Sequence, residues 1–195
     1  MPLKAPRAGD HRLVYSSKIG GRQIIERDFY YSDGKGGERK ETFYLWNSSM
    51  DWVVFIMSIT KDGKIIAVRE FRHGANDFLL TLPGGAPKGT MSPKEVAETE
   101  LLQETGYRAK TIIPLSPPVW FLPGALNEQT FLFLGLDAEE VAETEHEPNE
   151  VMETVLVPLS EWYRKISSHE ILDGKVAAIS MLALPYLMLG DIKFK

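Results

Sequence analysis

The stretch that decides the fold is GAPKGTMSPKEVAETELLQETGY, residues 85–107. Its middle carries the marks of a helix with both ends defined. Ser92 is a capping residue, Pro93 takes the first helical position, and Glu95 completes a capping box. Gly106 is a natural stop, so a helix is predicted from residue 92 to about residue 105. Glu100 and Glu104 lie four residues apart and therefore project from one face, one turn from each other. Carboxylates so placed repel unless a cation sits between them, and Mg2+ prefers such oxygens, with water and phosphate completing its shell. Just upstream, Pro83-Gly84-Gly85 forms a turn whose backbone can approach a ligand closely. Paired glutamates at this spacing are also common on solvated helix faces, so the weight lies on the register of the whole segment.

That register resembles the Nudix box, GX5EX7REUXEEXGU, in which U is apolar. Gly85 matches the first glycine, Glu100 the first glutamate of the core, Leu101 the apolar position, Glu104 the last glutamate, and Gly106-Tyr107 the ending. Leu82-Pro83-Gly84 is similar to the family's lead-in. Three positions depart from the pattern: Met91 stands for the first Glu, Thr99 for Arg and Gln103 for the penultimate Glu. The resemblance implies a divalent cation, Mg2+ or alternatively Mn2+, held by Glu100, Glu104 and the Gly84 carbonyl. Gln103 keeps an oxygen but lacks the charge, which would weaken binding of further metal ions.

Other segments are similar to the family's ADP-ribose pyrophosphatase group. Pro123 lies sixteen residues past Tyr107 and opens Pro123-Gly124-Ala125-Leu126-Asn127-Glu128, like that group's Pro-Gly-x-x-x-Glu. Val68-Arg69-Glu70-Phe71-Arg72 resembles its Val-Arg-Gln-Tyr-Arg strand. The resemblance makes Arg72 a contact to substrate phosphate, a task that suits an arginine fork, although a surface salt bridge is the plain alternative. Residues 149–155 resemble an Asp-Glu-Phe-Ile-Glu-Val stretch, which nominates Glu150 as general base on a closing loop, with Glu147 and Glu153 behind it. In similar enzymes an N-terminal sheet is exchanged between two subunits and supplies an aromatic for the base. Trp46 is the candidate here, against packing in a core or dimer interface.

Outward from the box, the first ninety residues read mainly as strands: 13–19, 23–31, 41–46, 52–60, 65–71 and 79–82. Gly20-Gly21 and Lys61-Asp62-Gly63 are expected turns, and residues 32–37 a loop. Further strands are expected at 109–113, 129–134 and 154–157, with helices at 158–165 and 174–189. The Glu-rich residues 137–153 read as a mobile loop. This order predicts an α+β fold, an α/β/α sandwich with a mixed sheet, split into an N-terminal β-subdomain (1–50) and a hydrolase domain (51–195).

Composition sets the bounds. The chain of 195 residues has 44% apolar and 25% charged residues, ordinary values for a folded domain. With no cysteine, disulfides, thiolate zinc sites and thiol nucleophiles are excluded. His11, His73, His146 and His169 show no metal-ligand spacing. A net charge of −5 argues against a phosphate-backbone binder, so no nucleic-acid partner is expected. The most apolar stretch, 176–189, is shorter than a bilayer span and contains Pro185, and the N-terminus lacks a signal-peptide core. The expectation is therefore a cytoplasmic homodimer, not bound to membrane. It would cut the diphosphate of a small nucleotide derivative, ADP-ribose first, giving AMP and ribose 5-phosphate. Another nucleotide sugar, or a non-catalytic domain that binds a nucleotide metabolite, are the alternatives.

Overall fold

Two sheets organise the chain in this computed structural model, which describes residues 5–17, 22–48, 51–147 and 150–189. The turn expected at Gly20-Gly21 and position Asn149 lie outside the described residues. Contacts divide the chain into two units: Met1–Trp52 with Trp120–Gln129, and Val53–Val119 with Thr130–Lys195. Segment 120–129 thus belongs with the N-terminal sheet, whereas the boundary read from sequence assigns it to the second domain.

The first unit is an antiparallel meander of β1 (Arg7–Ser16), β2 (Arg22–Ser32) and β3 (Glu38–Ser48). The β2–β3 register is unbroken from Arg22↔Ser48 to Ser32↔Glu38. The connecting loop closes through Asp33, whose Oδ1 accepts from the N–H groups of Lys35 (2.7 Å) and Gly37 (2.9 Å). Ile25 is the core residue of this sheet, while Leu13, Val14, Tyr15, Phe43, Tyr44 and Trp46 are exposed.

The second unit carries β4 (Trp52–Thr60), β5 (Lys64–Arg72), β6 (Asp77–Thr81), α1 (Pro93–Thr105), β7 (Tyr107–Arg108), β8 (Thr111–Pro114), β9 (Gln129–Glu140), β10 (Met152–Pro158), α2 (Leu159–Ser167) and α3 (Gly174–Leu189). Its mixed seven-stranded sheet runs β10-β5-β4-β9-β7, with β6 on β5 and β8 on β9. Consecutive residues of β4 and β5 are buried, among them Val54, Ile56, Met57, Ile65, Ile66 and Val68, so both faces of these strands are covered. The expected 61–63 turn forms. Gly63 adopts φ 81°, which favours glycine, and its N–H reaches the Thr60 carbonyl at 3.0 Å. Trp162 of α2 is fully buried and donates from Nε1 to Ser180 Oγ of α3 at 2.8 Å.

The acidic stretch read as a loop over 137–153 is strand at both ends, while the described residues 141–147 and 150–151 between them have no regular structure. β9 continues to Glu140 because β7 pairs with its end, Tyr107↔Glu140 and Arg108↔Glu139, and β10 begins at Met152. Strand pairing decides that region, and a charge-rich composition does not reveal it.

Candidate active site

The helix that carries the paired glutamates is built as its local sequence dictates. Ser92 accepts from the Glu95 N–H while Glu95 accepts from the Ser92 N–H at 2.7 Å, and Pro93 opens α1. Gly106 ends it in the left-handed region at φ 77°, with its N–H on the Leu102 carbonyl at 2.8 Å. A Cβ at Gly106 would also strike the Ala142 carbonyl.

Glu100 and Glu104 point inward: they are 7% and 5% exposed. They meet residues 83–85, which run along β4. The N–H of Ile56 takes the Pro83 carbonyl (2.9 Å), and the N–H of Val54 takes the Gly85 carbonyl (2.8 Å). Among the described residues no hydrogen bond reaches the Gly84 carbonyl between them. The Gly84 N–H donates to Glu104 Oε2 at 3.2 Å. The two glycines differ in what a side chain would meet, backbone at Gly84 and the movable end of a side chain at Gly85. A Cβ at Gly84 would collide with the Val54 carbonyl, and one at Gly85 would lie 2.6 Å from the Glu100 carboxyl carbon.

Electrostatics show what this packing costs. Burial, together with the charges of Glu100 and Glu70, pushes the Glu104 carboxyl well above its ordinary range. Burial raises Glu100 as well, opposed by Lys88 and reinforced by Glu150 and Glu147. Burial disfavours the charged form of a carboxyl, and the two glutamates share that cost on one face of α1.

Residues 141–147 and 150–151 bring further acids to this place. Their start is fastened to the C-terminal end of α1. The N–H of Val141 donates to the Gly106 carbonyl (2.9 Å) and that of Glu145 to the Gln103 carbonyl (2.7 Å). The His146 ring and the Thr154 hydroxyl both lie on the Glu104 carbonyl, at 3.1 and 3.4 Å. Glu147 pairs with Lys88 at 3.1 Å, and its N–H donates to Glu150 Oε2 at 2.7 Å. Glu150 is half-buried, and its charge is felt by Glu70, Glu100 and Glu104. Glu153 is separated from these groups. It pairs with exposed Arg69 at 3.2 Å.

Arg72 pairs with Glu70 at 3.0 Å and has Thr81 Oγ1 at 3.5 Å, while its Nε is buried with no hydrogen-bond partner. The remaining sequence candidates gather in the first unit. The Trp46 N–H donates to the Ala125 carbonyl (2.7 Å), and the Asn127 N–H reaches the Trp46 carbonyl (3.3 Å). Trp46, 52% exposed, and exposed Pro123 and Gly124 therefore share one neighbourhood with half-buried Glu128. The core reading of Trp46 does not hold.

Two residues near the glutamates were not singled out from sequence. Lys88 lies inside the box at a position with no fixed identity, so nothing local marks it. Glu70 stands where the similar strand has Gln, and that one difference was its only signal.

Among the described residues no three His, Asp or Glu side chains converge as a metal cage. The donors on offer are two buried carboxylates and a main-chain carbonyl. That set fits Mg2+, which binds through one or two carboxylates and keeps several waters.

The NUDIX domain model matches residues 51–177. An ADP-ribose pyrophosphatase of Bacillus subtilis (strain 168) is 30% identical over 93% of this chain and 95% of its own length. An ADP-sugar pyrophosphatase of Mus musculus is 26% identical over 83% of this chain and 87% of its own. The crystal structure of an ADP compounds hydrolase superposes with a TM-score of 0.82 at 18% identity, covering 97% of this chain and 98% of that one, and so shares the fold. A family model that spans residues 51–177 and a relative 30% identical over nearly the whole chain place this chain in the Nudix hydrolase family.

Proposed function

We propose that the chain hydrolyses the diphosphate linkage of ADP-ribose to AMP and ribose 5-phosphate, using Mg2+ or Mn2+. The observation that carries this reading is the buried Glu100–Glu104 pair against the open Gly84 carbonyl. The names of the B. subtilis and M. musculus relatives support the choice of substrate.

Glu100, Glu104 and the Gly84 carbonyl would hold the cation. Bound there, it neutralises diphosphate charge and makes water a better nucleophile. Arg72 offers its unused Nε to a phosphate oxygen and orients the diphosphate. Glu150 takes a proton from the attacking water; a bond from that oxygen to phosphorus forms as the bond to the bridging oxygen breaks. As the resemblance implies, Trp46 on the N-terminal sheet of a second copy of the chain stacks on the base, and Pro123, Gly124 and Glu128 are the further substrate-binding candidates. The exposed apolar side chains of the N-terminal sheet form the interface of a homodimer, a patch of the kind that marks association. No helix among the described residues is long and apolar enough to cross a membrane.

The test is a panel of ADP-ribose and other nucleotide sugars with Mg2+, scored by release of AMP or its counterpart. Preference for ADP-ribose by at least about tenfold in kcat/KM is expected, roughly 1.4 kcal/mol of discrimination. Cleavage of another sugar nucleotide alone would reject the substrate, and binding without cleavage would reject catalysis. Light scattering after size exclusion reads the dimer directly.

A further inference from the structure

The box departs from its pattern by losing acidic charge: Met91 and Gln103 stand where glutamates are expected. A carboxylate from outside the box lies on the same side of the sheet. Alternation along β5 puts Val68, Glu70 and Arg72 on one face. Val68 is paired with Thr81 on β6 and with Thr154 on β10, and residues paired in register share a face. The Thr154 hydroxyl reaches the Glu104 carbonyl at 3.4 Å, so this is the face that α1 covers. Glu70 lies between Leu79 of β6 and Met152 of β10. The Glu104 carboxylate is bonded to Gly84, just beyond β6. Arg69 and Glu153, one step out of phase, pair on the opposite face.

The Glu70 side chain is only 15% exposed, and its ion pair is with Arg72. Two further observations point to a ligand beside it. Glu100, 7% exposed, accepts no hydrogen bond among the described residues. Arg72 Nε is buried and unpartnered.

We propose that Glu70 restores from the sheet part of the negative charge that α1 lacks at Gln103, and so sets the affinity of the site for a divalent cation. This rests on the reading of Glu100 and Glu104 as cation-binding residues. The carboxylates do not converge as a three-membered cage, so Glu70 acts from outside the ligand set. Groups in that position change metal affinity by about 10–100-fold.

The experiment is a Mn2+ titration of the full chain, following free Mn2+ by electron paramagnetic resonance without nucleotide. Glu70→Gln should raise the Mn2+ Kd about tenfold, at the lower end of that range. Gln103→Glu should lower it, and adding Gln103→Glu to Glu70→Gln should return it close to the parent value. An unchanged Kd in Glu70→Gln, with only the KM for nucleotide raised, would mean that Glu70 serves Arg72 alone and would overturn the inference. Should Glu70→Gln fail to fold, Gln103→Glu in the parent chain carries the test, and no gain in affinity overturns it. Failure of the underlying reading looks different: Glu100→Gln and Glu104→Gln would then leave Mn2+ binding untouched.

Discussion

The helix Pro93–Thr105 and the acidic residues 141–147 and 150–151 meet at Glu104, yet they are held in opposite ways. α1 is fixed by bonds between residues three or four apart: the Ser92–Glu95 box at one end and Gly106 to Leu102 at the other. The acidic stretch is fixed by bonds across more than thirty residues, from Val141 to Gly106 and from Glu145 to Gln103. These bonds satisfy carbonyls that a helix terminus leaves without partners. Segments of the first kind set where Glu100 and Glu104 stand, and segments of the second kind bring further acids toward them. Disrupting a local bond of the first kind should therefore lower stability, whereas disrupting the second should change turnover alone.

The largest effect is expected where the two meet. Glu104→Gln should lower Mg2+-dependent kcat/KM about a thousandfold, roughly 4 kcal/mol of lost transition-state stabilisation. The metal-free protein should respond in the opposite sense. Burial raises the Glu104 carboxyl well above the ordinary carboxylate range, so the folded state favours its protonated form. Stability from this group is complete at pH below the unfolded value and declines as pH rises toward the folded one. In EDTA near pH 7 the variant should melt higher than the parent, and the gap should close as pH falls below about 4.5. A variant that melts lower throughout would show that Glu104 is a structural acid rather than one held for a cation.

The next effect belongs to the acidic stretch itself. Glu150→Gln should lower kcat by about a hundredfold, the scale of one general base, with KM and melting temperature little changed. If Glu147→Gln gives the larger loss, the base is Glu147, and its pairing with Lys88 has to open during turnover.

The same contrast explains how much could be read in advance. α1, its caps and its two glutamates were legible because each signal lies within a turn or two of the residue it controls. The 61–63 hairpin was legible for that reason too. The extension of β9 to Glu140 was not, since it exists only through pairing with Tyr107 and Arg108. Glu70 has no local mark either. Its meaning comes from the register of β5 with β6 and β10, which places it on the face shared by Thr154 and Arg72. The meeting of Trp46 with residues 125–127 likewise depends on a bridge between distant segments, which composition cannot supply. Resemblance nominated Glu150 and Glu153 together, but only strand alternation separates them.

A smaller effect tests the local side of the comparison. Ser92→Ala removes the capping hydroxyl from the start of α1 while leaving Glu100 and Glu104 about two and three turns away. The cost should be about 1 kcal/mol, or ~2–4 °C in melting temperature for a chain of this size. Because the cap holds the end of α1 remote from Glu104, kcat should stay near the parent value. Loss of activity without loss of stability would mean that the loop before the cap, which includes Lys88, is part of the reacting arrangement.

The smallest effect is expected three residues from one of the largest. Glu153 follows Glu150 closely, but β10 begins at Met152 and turns successive side chains to opposite faces. Its partner Arg69 is 56% exposed and Glu153 itself 64%, and an ion pair so open to water contributes little. Glu153→Gln should therefore shift stability by no more than about 0.5 kcal/mol and leave kcat/KM for ADP-ribose unchanged within error. Thermal melts and steady-state kinetics on Glu150→Gln and Glu153→Gln, prepared side by side, measure that contrast. Equal losses of activity would mean that the start of β10 moves during turnover, so that the separation of the two faces does not persist in the working enzyme. Unequal losses in the expected direction would tie the function of this acidic stretch to strand alternation at Met152 rather than to its charge content.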